Sequence, residues 1–225
     1  MYKRQRQRVA IARALLINPR ILLMDEPLAS LDQARKLEIL PYIENLKNEL
    51  ELPIIYITHS ADELARLADH IVILEKGKLL AEGMLSEVLT RIDLPFMRSE
   101  DSGVVLEGAV SEVDSSWGLA RLNLGKTGLW FKNSKHHKGD YVRIRILASD
   151  VSIALDKPLR SSIINTLPAT VIELQQDSDK SSTLVKLKVS RELVIARLSS
   201  RSAHDLALAP GLNVWAQIKS VAIVS

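Results

Sequence analysis

The sequence predicts an α/β layer with a parallel sheet, followed by small all-β barrels. In the first part, short uninterrupted apolar runs at residues 21–24 and 54–57 alternate with segments of helical periodicity. This pattern is typical of strands that are buried on both faces in a parallel sheet covered by helices. Beyond residue 103, short runs of alternating polarity are separated by Gly, Asp, Asn and Ser. Regular short strands with turn signals indicate a small barrel.

A helix is expected before the first strand. Residues 6–16 place Val9, Ala12 and Leu16 on one face at helical spacing. Asn18-Pro19 should end this helix, because the residue before a proline is pushed out of the α conformation. The predicted order is therefore helix, turn and strand.

Both apolar runs end in polar side chains. The first run is followed by Asp25 and Glu26, and the second by Thr58 and His59. In open α/β sheets, ligands bind at the carboxyl ends of the strands, where a single Asp can hold Mg²⁺ and a neighbouring Glu can handle a water molecule. The alternative is that Asp25 caps a turn, Glu26 is solvated and His59 is an ordinary core residue.

The second strand leads into a short helix. Ser60 is placed to cap this helix, and Glu63 completes the S-x-x-E pattern of a capping box, in which the Glu side chain returns to the backbone N–H of the cap. Residues 70–83 then predict two strands joined by a tight turn at Lys76-Gly77.

Several short motifs occur in the order and spacing of a known ATPase family. They are Met24-Asp25-Glu26-Pro27, Ser30-Leu31-Asp32 and Thr58-His59, preceded by the helical segment 6–15. Together they resemble the second half of an ATP-binding-cassette ATPase. The resemblance implies that the α/β part is a partial P-loop NTPase fold with a parallel sheet.

The resemblance also implies a role for each candidate residue. Asp25 would hold the Mg²⁺ of Mg-ATP, and Glu26 would orient or deprotonate the attacking water. His59 would sense the γ-phosphate by a hydrogen bond. Ser30 and Asp32 would cross a dimer interface and couple two ATP sites. The implied cofactors are therefore ATP and Mg²⁺.

The sequence departs from that family in one major respect. It contains no G-x-x-x-x-G-K-[ST] phosphate loop, no glutamine loop and no Leu-Ser-Gly-Gly-Gln-like signature. Without the backbone N–H groups and the lysine of that loop, nothing cradles the phosphates. We expect a truncated copy whose native sequence begins near Arg6, with residues 1–5 translated from foreign sequence. This polypeptide alone is not expected to bind or hydrolyse ATP.

The second half is predicted to contain an internal repeat. Residues 106–113 parallel residues 167–174, and residues 139–146 parallel residues 211–218. Two tandem barrels of the oligonucleotide/oligosaccharide-binding (OB) type are the simplest interpretation.

The periodicity is lost between the two halves, and the composition there becomes polar. We therefore expect an ATPase part at residues 1–95, a linker at 96–103, a first OB-like barrel at 104–158 and a second barrel at 159–225.

The second barrel resembles the molybdate-binding Mop type of TOBE domain, notably over residues 199–203 and 208–221. An oxyanion site without metals needs fixed donors, which hydroxyls, backbone N–H groups and a lysine can supply. The residues that match such donors are Ser162, Asn165, Ser199, Ser202, Lys219 and Ser220. Ile164 replaces the arginine of the Ser-Ala-Arg-Asn motif in this family.

Composition limits the remaining classes. The chain has no cysteine, a net charge of +3 and no basic block interleaved with aromatics, so we expect no thiolate metal site and no nucleic-acid partner. No apolar run approaches the ~20 residues that span a bilayer. We therefore expect a cytoplasmic chain.

Over its whole length the chain resembles the ATPase subunits of molybdate importers. That resemblance implies an energy-coupling ATPase for molybdate or tungstate uptake that works as a homodimer with a transmembrane permease. It also implies a peripheral location on the cytoplasmic face of the inner membrane. Two alternatives stay open, which are a stand-alone molybdate-binding or sensor module and the ATPase subunit of a sugar or iron importer.

Overall fold

The computed structural model describes the backbone of residues 2–49, 52–133 and 135–224 and, within these ranges, the side chains from residue 9 onward except those at 33 and 48. The chain forms two compact units, Met1–Asp69 and His70–Ser225. None of the described helices is both long and apolar enough to cross a bilayer.

The first unit is a parallel strand pair with three helices. Its elements are α1 (Tyr2–Leu16), β1 (Leu22–Asp25), α2 (Gln33–Glu49), β2 (Ile54–Ile57) and α3 (Ala61–Leu67). Strands β1 and β2 pair in parallel, with Leu22 opposite Ile54 and Asp25 opposite Ile57. Because parallel neighbours need a crossover connection, α2 supplies it. The predicted strands and their parallel pairing are confirmed.

Burial in this sheet is one-sided. Leu22 and Met24 pack into a core with Ile39 and Ile43 of α2, whereas Leu23 is 63% exposed. The prediction that this strand is buried on both faces is therefore wrong. In the described part of the chain, α2 covers the face that carries Leu22 and Met24, and alternate side chains of a strand point to opposite faces.

Helix α1 packs through a different stripe from the predicted one. Val9 is 65% exposed and Leu16 is 85% exposed, while Ile11, Ala14 and Leu15 pack against the core. Residues at i, i+3 and i+4 share one helix face, so the stripe that starts at Ile11 satisfies helical spacing as well as the predicted one did.

The second unit is rich in strands. It begins with β3 (His70–Glu75), β4 (Lys78–Met84) and α4 (Leu85–Val88). The predicted turn between β3 and β4 is confirmed, with Lys76 at φ 50° and Gly77 at φ 75°, the positive values that a two-residue hairpin turn needs. The remaining elements are β5 (Gly103–Asp114), β6 (Leu119–Asn123), β7 (Gly128–Lys132), β8 (Tyr141–Leu147), β9 (Val151–Ala154), β10 (Asn165–Gln176), β11 (Ser182–Val189), β12 (Glu192–Ser199), α5 (Ser200–Asp205), β13 (Asn213–Ile218) and β14 (Ala222–Ile223).

These strands form two five-stranded sheets with matching order. One sheet runs β14-β8-β5-β6-β7, and the other runs β9-β13-β10-β11-β12. The internal repeat is thus present in the fold, with α5 as an addition to the second copy. Each copy gives its last strand to the other, because β9 pairs with β13 and β14 pairs with β8.

A buried amide also joins the two copies. Asn165, which is 4% exposed, accepts a hydrogen bond from Trp130 N at 2.7 Å and donates one to Trp130 O at 2.8 Å. Trp130 lies on the edge strand β7, so the start of β10 satisfies backbone groups that an edge strand otherwise leaves unpaired.

Arg197 lies on β12, an edge strand of the second sheet, and its side chain joins that strand to another segment. Its guanidinium donates to Met97 O at 2.6 Å, Ser99 O at 3.0 Å and Ser102 Oγ at 2.9 Å, and it pairs with Asp177 at 3.3 Å. The segment before β5, which includes a 3-10 turn at Pro95–Arg98, is thereby tied to the second sheet.

Replacing Arg197 should destabilise the second unit. In Arg197→Met, the Asp177 carboxylate, whose side chain is 14% exposed, loses its charged partner. Breaking a largely buried ion pair costs about 3 kcal/mol or more. Urea unfolding should show that loss, whereas Arg191→Met, at a pair whose arginine is 65% exposed, should stay within about 0.5 kcal/mol of wild type. An equal loss of unfolding free energy in both variants would contradict the stabilising role of Arg197.

Candidate functional site

The carboxyl ends of β1 and β2 bring the predicted ATPase residues to one edge of the sheet. The register places Asp25 opposite Ile57, and Glu26 N donates to Ile57 O at 2.9 Å. Thr58 and His59 follow Ile57 directly, so their backbone lies beside that of Glu26. The side chains of Asp25, Glu26 and His59 therefore share the edge at which α/β sheets bind ligands.

Glu26 and His59 are in direct contact. His59 Nδ1 lies 3.0 Å from Glu26 Oε1, and the two side chains are 76% and 48% exposed. An ionised carboxylate can only accept, so Nδ1 carries the proton in this contact and Nε2 is left for another partner. Glu26 has φ 39°, an uncommon value for a residue with a side chain and one that is found at functional sites.

Asp25 fits a magnesium ion that arrives with a phosphate. Among the described residues, no group of three or more His, Cys, Asp or Glu could hold a metal by itself. Mg²⁺ usually binds through one or two carboxylates plus substrate phosphates and several waters. A single exposed carboxylate at the strand end matches that donor set.

Ser30 and Asp32 lie in the turn that leads into α2. Asp32 Oδ1 accepts from Arg35 N at 3.0 Å, and its backbone O accepts from Lys36 N at 3.0 Å, so Asp32 caps α2. Its carboxylate also pairs with Arg35 Nε at 3.2 Å. Ser30 is exposed. Among the hydrogen bonds of the described side chains, none joins Ser30 or Asp32 to Glu26 or His59.

Beside this edge lies a buried carboxylate that the sequence predictions assigned to a helix cap. Glu63 is 1% exposed and accepts from Lys36 Nζ at 2.8 Å, Tyr56 OH at 2.9 Å and Thr58 Oγ1 at 2.8 Å. Burial acts to raise the pKa of Glu63, but the hydrogen bonds from Lys36, Thr58 and Tyr56 outweigh it and hold this pKa below its ordinary value. Burial and the neighbouring Glu63 raise the pKa of Tyr56, whose hydroxyl stays protonated and donates.

The predicted capping box is therefore half right. Ser60 caps α3 by accepting from Glu63 N at 3.5 Å, as expected. The Glu63 side chain does not return to Ser60 N, which instead donates to Thr58 Oγ1 at 3.1 Å. Lys36 is distant in sequence, so no local pattern could have indicated this arrangement.

The predicted oxyanion donors lie in the second unit. Ser199 caps α5, with its Oγ accepting from Ser202 N at 3.0 Å, and the two hydroxyls are 2.7 Å apart. Lys219 N donates to Asp150 O at 2.9 Å, which fixes the backbone that carries the exposed side chains of Lys219 and Ser220. The structure thus pairs Ser199 with Ser202.

The remaining candidates form a second group. Ser162 is exposed, and Ile164, at the position of the motif arginine, is 60% exposed. Both polar atoms of the Asn165 amide are hydrogen-bonded to the Trp130 backbone. The side chain of Asn165 therefore joins the two sheets in this structure.

Known proteins are similar to this chain in both of its units. Residues 161–224 match the family model of the TOBE domain. The chain is 50% identical over 220 residues to the "Molybdenum import ATP-binding protein ModC" of Thiobacillus denitrificans, covering 98% of this chain and 61% of that protein. The protein of the same name from Methylococcus capsulatus is 47% identical over 220 residues, covering 98% of this chain and 62% of that protein.

Solved structures are also similar to this chain. One of them is a molybdate-bound crystal structure of the cytoplasmic molybdate-binding protein ModG, with 20% identity, a TM-score of 0.46 and coverage of 53% of this chain and 94% of that chain.

The chain spans about three fifths of the length of the relatives named above, 61% and 62% respectively. The matched span covers 98% of this chain and so includes both units. Over 98% of its length, the chain is therefore similar to part of the molybdenum import ATP-binding proteins named above, and its residues 161–224 match the TOBE domain model.

Proposed function

We propose that these residues form part of the energy-coupling ATPase subunit of a molybdate or tungstate importer. The observation that carries the proposal is the shared edge of Asp25, Glu26 and His59 at the ends of two parallel strands, in a chain homologous to molybdenum import ATP-binding proteins. Its cofactors would be ATP and Mg²⁺. Its partners would be a second copy of the chain and a transmembrane permease at the cytoplasmic face of the inner membrane.

The residues at this edge have separable tasks in ATP hydrolysis. Glu26 would orient the attacking water and accept its proton, and His59 would hydrogen-bond the γ-phosphate. Asp25 would hold Mg²⁺, which when bound neutralises charge on the phosphate oxygens. The contact of 3.0 Å between Glu26 and His59 occupies one oxygen of the proposed base, so this contact has to loosen when a nucleotide and its water arrive.

The phosphates of ATP need a further element. The sequence contains no phosphate loop, so these residues alone would hold neither the phosphates nor a complete site. Ser30 and Asp32 follow Asp25 and Glu26 closely in the chain. They would transmit the nucleotide state of one ATP site to the other across the dimer. Domain movements driven in this way are the usual means by which nucleotide hydrolysis drives a partner.

The second unit would bind the oxyanion as a regulatory signal. Hydroxyls at Ser199 and Ser202 and the charge of Lys219 are suited to a tetrahedral anion, with Ser162 and Ser220 as further exposed donors. Asn165 would shape the site through the strand it fixes, since its own amide is engaged. An anion can inhibit transport only if it binds the resting and working states with different affinity.

A stand-alone oxyanion-binding or sensor module is the second candidate. The paired hydroxyls of Ser199 and Ser202 in the second unit favour it, because such a module needs only oxyanion donors. The contact between Glu26 and His59 at the strand ends argues against it, because a pure binding module has no use for such an arrangement.

The ATPase part of the proposal is tested on the complete open reading frame that contains these residues. Glu26→Gln should lower kcat by about a hundredfold or more while ATP still binds, because it removes a general base. Glu82→Gln, an exposed carboxylate on β4, should leave kcat unchanged. Steady-state phosphate release with vesicle-reconstituted permease measures both variants. An unchanged rate in Glu26→Gln would contradict the assigned role.

The oxyanion part is tested by calorimetry on the 225-residue chain. Molybdate and tungstate should bind, and sulfate and maltose should not. Lys219→Ala should weaken molybdate binding by about tenfold or more, since a hydrogen bond to a charged group contributes about 1.5–3 kcal/mol. Lys188→Ala, an exposed lysine on β11, serves as the control. Maltose binding, or equal effects of the two substitutions, would contradict this site.

A further inference from the structure

Glu63 is the buried carboxylate nearest to the proposed ATPase edge. It exposes 1% of its surface and belongs to α3, the helix that follows Thr58, His59 and Ser60. Removing a carboxylate from water is costly unless it is paired and hydrogen-bonded. Its three side-chain donors satisfy that condition, and its charge is retained because hydrogen bonds lower its pKa.

Hydrogen bonds of Glu63 hold the two residues that flank His59 in the chain, Thr58 and Ser60. Thr58 Oγ1 donates to Glu63 Oε2 at 2.8 Å and accepts from Ser60 N at 3.1 Å. Ser60 Oγ in turn accepts from Glu63 N at 3.5 Å. The residue before His59 and the residue after it are therefore held by one closed set of hydrogen bonds that begins and ends at Glu63.

His59 itself is not held by packing. Its side chain is 76% exposed, so the position of its ring depends on the backbone of residues 58–60 and on its contact with Glu26. The Glu26 backbone is fixed by the hydrogen bond to Ile57 O, just before this loop. A shift of the loop would therefore change the distance between His59 and Glu26 directly.

The same carboxylate also reaches the start of α2. Lys36 Nζ donates to Glu63 Oε1 at 2.8 Å, and Lys36 N donates to Asp32 O at 3.0 Å within the first turn of α2. One buried charge thus links the segment that ends in Asp32 to the loop that carries His59. Under the proposed function, the first segment would transmit the state of one site across the dimer, and the second would contact the γ-phosphate.

We propose that Glu63 is a positioning residue of the ATPase, which acts through Thr58 to hold His59 against Glu26 and through Lys36 to hold the turn that ends in Asp32. The proposal rests on the proposed function. This role requires that both oxygens of the Glu63 carboxylate accept hydrogen bonds. A glutamine has an NH₂ group in place of one oxygen, and that group would face either the Lys36 ammonium or the hydroxyls of Tyr56 and Thr58, from which it cannot accept.

A general role in holding the two helices together has to be separated from this one. Glu44 and Arg66 provide the comparison, because they also join α2 to α3 through a pair at 2.9 Å with side chains 16% and 20% exposed. Their pair lies outside the loop of residues 58–60. Glu44→Gln is therefore a matched control for Glu63→Gln, with the same change of charge between the same two helices.

The first test measures ATP hydrolysis by the complete open reading frame. Glu63→Gln and Thr58→Val should each lower kcat by about tenfold or more with little change in KM, because a displaced catalytic group can cost about a hundredfold. The double variant should be no slower than the slower single variant, because both substitutions break one path. Glu44→Gln should keep the wild-type kcat. An effect of Glu63→Gln that equals that of Glu44→Gln, or additive effects of the two changes, would overturn the proposal.

The second test uses the 225-residue chain and needs no ATP hydrolysis, so it separates failure of this inference from failure of the proposed function. Amide hydrogen exchange at Ser60, followed by NMR, reports whether its N–H is held. Exchange should become about tenfold faster or more in Glu63→Gln and in Thr58→Val, as local opening becomes easier, and stay unchanged in Glu44→Gln. Unchanged exchange in Glu63→Gln would overturn the proposal. Absence of ATPase activity in wild type would instead contradict the proposed function.

Discussion

The register between β1 and β2 is the constraint on which the first unit depends. Side chains alternate between the two faces of a strand, so a slip of one residue would turn Leu22 and Met24 away from α2. The same slip would separate Glu26 from Ile57 O and move His59 away from Glu26. Core packing and the geometry of the candidate site are therefore fixed by the same pairing, and neither can change alone.

The second unit meets a different constraint, the unpaired edges of short sheets. Strand edges left open invite pairing with other chains. Here each repeat gives its last strand to the other sheet. Asn165 binds the backbone of the edge strand β7, and Arg197 of the edge strand β12 binds the segment before β5. The two copies therefore depend on each other for complete sheets. A ligand that shifts one sheet acts on strands that belong to both copies.

The sequence was most informative where one physical signal dominates. The apolar runs, the intervening helix and the Lys76-Gly77 turn gave the strands and their order, because periodicity and turn chemistry are local properties. The packed face of α1 was missed, because two apolar stripes have helical spacing and only the tertiary structure selects the one that contains Ile11. The sequence did not predict that β9 and β14 each pair with the sheet of the other repeat. The two repeats are alike, so the last strand of each finds similar neighbours in either sheet.

Glu63 shows why a local motif can be correct about a residue and incomplete about its task. The S-x-x-E pattern places Ser60 at the cap, and the backbone half of the box forms. A solvent-exposed return of the Glu side chain to Ser60 N would leave Lys36, Tyr56 and Thr58 without their common acceptor. The cap bond and the bonds from these three side chains would all be accepted by the same charged carboxylate, so three donors outweigh one. Thr58 then takes over the bond to Ser60 N, and a capping position becomes the support of the loop that carries His59.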